Sequence, residues 1–165
     1  MDSQRPHTPF RPEPREFPGH RMPFSVPGGL RLEPSRSRIR EGQEDGFDAW
    51  MEVLHERYDE VLESIPAERA VFEATFKHRE AYGSTWIYHL SLMGEGGGLD
   101  EQFPIGATHA DFSRRVKEPG WEELEPMFML TPGHLRDAMV AWGATGRAPA
   151  PATPTPADPA DPADS

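Results

Sequence analysis

The stretch VFEATFKHREAYGSTWIYHLSLM, residues 71–93, decides the fold. One alternating set of its side chains is apolar: Phe72, Ala74 and Phe76, then Trp86, Tyr88, Leu90 and Leu92. The other set is polar: Glu73, Thr75 and Lys77, then Thr85, His89 and Ser91. A period of two, rich in β-branched and aromatic residues and interrupted by Glu80-Ala81-Tyr82-Gly83, reads as an antiparallel hairpin. Burial assigns the apolar set to a core beneath helices. The polar set then falls on the opposite, open face of the sheet, where it meets water, a second subunit or a substrate.

Working outward, Phe47, Trp50, Met51, Leu54, Tyr58, Val61, Leu62 and Ile65 recur at steps of three and four. That is one apolar face of a single helix. Pro66 ends it, because the residue before a proline is pushed out of the α region. Before it, Ser35–Arg40 reads as a first strand, broken by Glu41-Gly42. After the hairpin, GEGGG at 94–98 is a loop. A second helix is expected over His109–Lys117 with Thr108 as N-cap. Glu123–Leu130 reads as a last strand, at an edge or bulge because of Pro126. Thr131-Pro132 opens a short helix through Trp142. The order β-α-β-β-α-β with an extra C-terminal helix is an α+β, ferredoxin-like arrangement, two helices over one face of a four-stranded antiparallel sheet.

The flanks differ in composition. Of 19 prolines, eight lie in residues 1–34 and six in 147–165. Three regions follow: a Pro-rich N-terminal arm at 1–34, a folded domain at 35–146, and a solvated Pro/Ala/Asp tail at 147–165. The arm carries Phe10, Phe17, Met22 and Phe24, so residues 1–28 are also candidates for recruiting a protein partner. The formal charge is −11, and residues 35–146 hold 21 Asp and Glu against 11 Lys and Arg, a balance of −10. Such a surface does not suit nucleic acid or anionic membranes, which need a basic patch. The chain has no cysteine, which removes thiolate and disulfide chemistry. With no 18-residue apolar run and no hydrophobic leader segment, a cytoplasmic location is the expectation.

The chain resembles the dimeric α/β-barrel superfamily, which includes antibiotic-biosynthesis monooxygenases, aromatic polyketide cyclases and sugar mutarotases. The likeness is nearest to an uncharacterised bacterial branch. It runs through RIREG at 38–42, HERYDEVLESI at 55–65, FEATF at 72–76, HADF at 109–112 and PMFML at 126–130. It implies a homodimer, two sheets face to face as a barrel, with each uncovered face lining a cavity for a small organic molecule. It also implies chemistry without a cofactor.

The candidate catalytic residues are His89, Glu73 and His109. On the hairpin Glu73 lies opposite or diagonal to His89, a carboxylate–imidazole pair that would orient a general base and raise its pKa toward neutrality. The alternative is an ordinary cross-strand pair on a wet face. His109 opens the second helix, where it either reaches the pocket mouth or faces water. Thr75, Lys77 and Arg38 are candidate substrate contacts. Trp86 and Tyr88 belong to the expected core. No metal is expected, since His89, Glu73 and His109 match no helical metal-binding spacing. There is no Gly-rich nucleotide loop and no GxSxG elbow. The leading functional expectation is an isomerase, cyclase or monooxygenase that needs no cofactor. The rival is a non-catalytic dimeric binding or accessory protein.

Overall fold

The computed structural model describes residues 20–148. Strand β1 (Leu30–Arg38) leads to helices α1 (Glu44–Glu56) and α2 (Tyr58–Glu68), then to strands β2 (Ala70–Arg79) and β3 (Thr85–Gly94). Helix α3 (Pro104–Val116), the two-residue strand β4 (Glu122–Glu123) and helix α4 (Gly133–Thr145) complete the chain. The antiparallel sheet has the order β2-β3-β1-β4, with the first and third strands in the middle, as in ferredoxin-like folds. The α+β class and this arrangement agree with the sequence reading.

The hairpin pairs as its alternation requires. Thr75 stands opposite His89, Phe76 opposite Tyr88 and Glu73 opposite Ser91, so Glu73 is diagonal to His89. The faces, however, are the reverse of the expectation. Helices α1 and α3 lie over the polar set. There Ile87, the apolar exception in that set, packs with Phe47 and Trp50 of α1, Val116 of α3 and Ile39. Lys77, also of that set, reaches Asp48 of α1 at 2.7 Å. The apolar set lies on the other face, closed at one end by the chain around Met22 and Val26, by Met129, and by Met139 and Val140 of α4, all packed against Leu30, Leu32, Leu90 and Leu92. Full burial of a side chain such as Leu92 contributes roughly 1.5–3 kcal/mol. On the edge strand β2, Phe72 opposite Leu92 and Phe76 opposite Tyr88 stay exposed. Trp86 is buried, but beneath the guanidinium groups of Arg36 and Arg38, 4.2 and 4.9 Å from its ring centroid, rather than beneath helices. An aromatic contact between the helices themselves satisfies most of the apolar demand of α1 and α3. Alternation within one hairpin does not reveal that.

Other boundaries shift for local reasons. Strand β1 begins at Leu30, and Met22 and Val26 of the expected arm join the core, while residues 1–19 and 149–165 lie outside the described residues. The long first helix is two, separated at Arg57 (φ −105°, ψ 31°), whose guanidinium holds Glu60 and the Thr108 hydroxyl. Pro66 sits inside α2 near its end, and Arg69, at φ 57°, stops the helix. Helix α3 starts earlier than expected because Pro104 occupies its first turn. The last strand contracts to Glu122–Glu123. Leu124 N–H still reaches the Pro34 carbonyl, but Pro126 cannot extend the ladder and the Met129 N–H goes to the Ser25 hydroxyl instead.

Helix α4 docks through a glycine pair. A Cβ built on Gly94 of β3 would collide with the Gly143 carbonyl, and one on Gly143 would collide with Leu30. Backbone cannot yield as a side-chain tip can. Gly94→Ala should therefore cost about 1–3 kcal/mol in urea unfolding by overpacking, whereas Gly28→Ala, with nothing within 4 Å, should stay near wild type. Equal stability of the two variants would refute this docking.

Candidate functional site

The polar set of the hairpin forms the floor of a polar layer beneath the helices. Across the ladder, Thr75 Oγ1 and His89 Nδ1 lie 3.3 Å apart. Above them, α1 contributes Trp50, whose indole Nε1 donates to His109 Nδ1 of α3 at 3.1 Å. Trp50 is 2% exposed. Its ring meets the imidazole of His109 at 4.9 Å and is parallel to Phe112, one helical turn further along α3, at 6.2 Å. Lys117, just past the end of α3, places its ammonium 5.4 Å from the Trp50 ring centroid.

These contacts fix the charge states. Burial first, then the Lys117 ammonium, pushes His89 down to about 4. The same two causes, with His89 as a third, push His109 down to about 3. The two rings therefore feel each other, and both are neutral at pH 7. The sequence had suggested a carboxylate raising His89 toward neutrality. Desolvation and a cation win instead, and no hydrogen bond joins Glu73 to His89 among the described residues.

The carboxylates move the opposite way. Glu68, at the end of α2, is buried, and its carboxyl is pushed up to about 7, first by desolvation and next by the charge of Glu73. Its Oε1 accepts the Asp100 N–H at 3.4 Å. Glu73 is accessible to water along β2, yet enough protein surrounds it that desolvation raises its pKa as well. The polar layer thus opens to solvent along the Glu73–Thr75–Lys77 side of β2 and runs inward to His89 and His109.

Of the sequence candidates, the fold places Glu73, Thr75, Lys77, His89 and His109 on one side of the sheet. Lys77 is engaged with Asp48 and lies 5.7 Å from the Phe47 ring centroid. Arg38 does not join them. It lies on the opposite face against Trp86, with Glu118 at 3.9 Å. Sequence reasoning missed Trp50, Lys117 and Glu68. Glu68 had a signal, a carboxylate one turn beyond Ile65 on the apolar helical side, lost when the helix was ended at Pro66. Trp50 and Lys117 had none, for an apolar-face tryptophan and a lysine near a helix end are ordinary. Among the described residues, no group of three His, Cys, Asp or Glu side chains could hold a metal ion, and no helix is long and apolar enough to cross a membrane.

The chain belongs to a family of unknown function (DUF6176), whose model matches residues 30–137. No curated protein and no solved structure matches it significantly.

The charge states give a signed pH dependence. Unfolded imidazole takes up a proton near pH 6.5, whereas folded His89 and His109 do so only near 4 and 3. In between, the unfolded state binds more protons, so stability falls as pH drops below about 6.5, by on the order of 3 kcal/mol per imidazole at full extent. Glu68 opposes this. Its folded form holds a proton up to about 7, so its contribution is present below the unfolded carboxyl pKa and is lost as pH rises through 7. The steepest acid loss should come below about pH 4.5, where Glu68 is protonated in both states. Urea unfolding from pH 8 to pH 3.5 should show that limb flattened in His89→Gln and in His109→Gln. A limb unchanged in both variants would mean that neither ring is buried neutral.

Proposed function

We propose that the protein is an enzyme that moves a proton on a small organic molecule without a cofactor, at the polar layer between β2, β3 and helices α1 to α3. The observation that carries this reading is the Glu68–Glu73 pair, two carboxyls with raised pKa values where a helix-covered sheet face is ordinarily apolar. Polar groups in such a layer cost desolvation, and a working site gives a reason for them. A carboxylate whose pKa is raised by desolvation is a stronger base than a solvated one, which suits general acid–base chemistry. Glu73, which meets solvent, is the base. Its charge in turn helps hold the neighbouring Glu68 protonated, since two nearby carboxylates resist ionising together. His89, expected from the sequence as the base, is too weakly basic for that role and serves as a hydrogen-bonding partner with Thr75. Isomerisation, cyclisation and oxygenation of activated carbon acids all begin with loss of a proton from carbon beside a carbonyl, the kind of chemistry the resemblance implies, here on the helix-covered face rather than the open one.

A panel of small ketones and aryl ketones in deuterium oxide provides the test. Wild-type protein should accelerate exchange of the α-hydrogens for at least one compound, and Glu73→Gln should lose about 100-fold or more of that rate. Exchange that persists in Glu73→Gln would remove Glu73 from the role.

A second observation supports the homodimer. The open sheet face carries Phe72 and Phe76, 39% and 55% exposed, beside Tyr88 and the arginine-covered Trp86. A second copy presenting the same face would bury them, as in a self-complementary two-fold interface. In sedimentation velocity, wild type should run as a dimer and Phe76→Glu as a monomer. A monomeric wild type at high micromolar concentration would exclude the interface and leave the polar layer as a monomer's site.

A further inference from the structure

The indole ring has one hydrogen-bonding group, an N–H that can only donate. In Trp50 it is aimed at His109 Nδ1, 3.1 Å away. Nδ1 must then be the acceptor, which leaves the single ring proton of neutral His109 on Nε2. Protonation at Nδ1 would set N–H against N–H and break the bond. The Lys117 ammonium opposes a second positive charge there. Nε2 makes no hydrogen bond with any described residue, although His109 is only partly buried among the rings of Trp50 and its neighbours. The ring is thus a donor with a fixed tautomer, and its proton is not committed to the protein.

His89 differs. Its Nδ1 faces a hydroxyl, Thr75 Oγ1, which can donate or accept. Its tautomer can change; that of His109 cannot without losing the Trp50 bond.

We propose that His109 binds the oxygen of a carbonyl substrate through Nε2–H, and that Trp50 is the positioning residue that holds it in this tautomer. The proposal rests on the carbon-acid reading above and names its substrate class: a small molecule whose carbonyl oxygen becomes an enolate oxygen. In the step, the Glu73 carboxylate takes the α-proton, the C–H electron pair forms the carbon–carbon double bond of the enolate, and negative charge gathers on the oxygen. His109 donates to that oxygen and keeps its own proton. Glu73 then returns a proton to carbon, so atoms and charge balance with no redox partner. A neutral donor whose proton stays in place supplies stabilisation where charge develops.

Two measurements on the full chain test this. In long-range ¹H–¹⁵N spectra of labelled protein, the His109 signal is assigned by its loss in His109→Gln. It should show the Nε2–H tautomer, unchanged from pH 5.5 to pH 8. Trp50→Phe, which keeps a ring but removes the N–H, should release the tautomer. The second probe is a series of substituted phenols of graded acidity, whose phenolate oxygen resembles an enolate. Binding should move the His109 Nε2 signal. Affinity should fall at least ten-fold in His109→Phe and recover largely in His109→Gln, whose amide N–H can take the Nε2 position. An Nδ1–H or charged ring near pH 6 would overturn the proposal. So would phenols that fail to bind, or that bind His109→Phe as tightly as wild type. Ketone exchange unaltered in His109→Phe would reject His109 alone. A phenol response without any ketone exchange would reject the catalytic reading and retain His109 as an oxygen-binding donor.

Discussion

Every side chain of the polar layer owes its position to the register of the β2–β3 hairpin. With Thr75 opposite His89, the odd-numbered residues Glu73, Thr75, Lys77, His89 and Ser91 share one face with Ile87. A slip of one residue would send them to the other side and bring the aromatic set beneath the helices. The register holds because both faces depend on it. Ile87 is needed between α1 and α3, and Leu92 is needed under α4 and the chain at Val26. Neither core can form if the other is shifted.

The helices can tolerate polar groups below them because they also pack against one another. Trp50 has the Phe47 ring at its edge at 6.0 Å, His109 on one side and Phe112 parallel to it. The indole N–H is satisfied by the imidazole, so the aromatic cluster ends in a polar group rather than in another hydrocarbon. That end group connects a hydrophobic contact to the charge behaviour of the site. The same packing that buries Trp50 desolvates His109 and holds it neutral.

The strand and helix order was legible in the sequence, since alternation over 71–93 and the three-four spacing over 47–65 survive any tertiary context. That Glu73 stands opposite or diagonal to His89 followed from the same alternation, and the turn settles it as diagonal, with Thr75 opposite. Which face the helices cover was not legible. Apolar content pointed to the Phe72–Phe76 side, but Ile87 alone, among seven residues of the opposite set, anchors the helix pair. The second core draws on Met22, Val26, Met129 and Met139, each from a segment that reads as arm, edge strand or short helix. Their convergence is a long-range fact. Arg38 was misplaced with the face assignment, and the sign of the His89 shift was missed because the helices that bury it, and Lys117 just past α3, lie outside the hairpin's own residues.

The start of β2 carries an irregularity: Ala70 pairs with Met93 and Phe72 with Leu92, leaving Val71 as the extra residue of a bulge. Val71 packs against the Leu92 core, while the ladder beyond it is regular. The bulge therefore separates the length of the α2–β2 connection from the parity of the strand. A residue added or removed at this point would lengthen or shorten the approach from α2, while the face on which Glu73, Thr75 and His89 stand would not change.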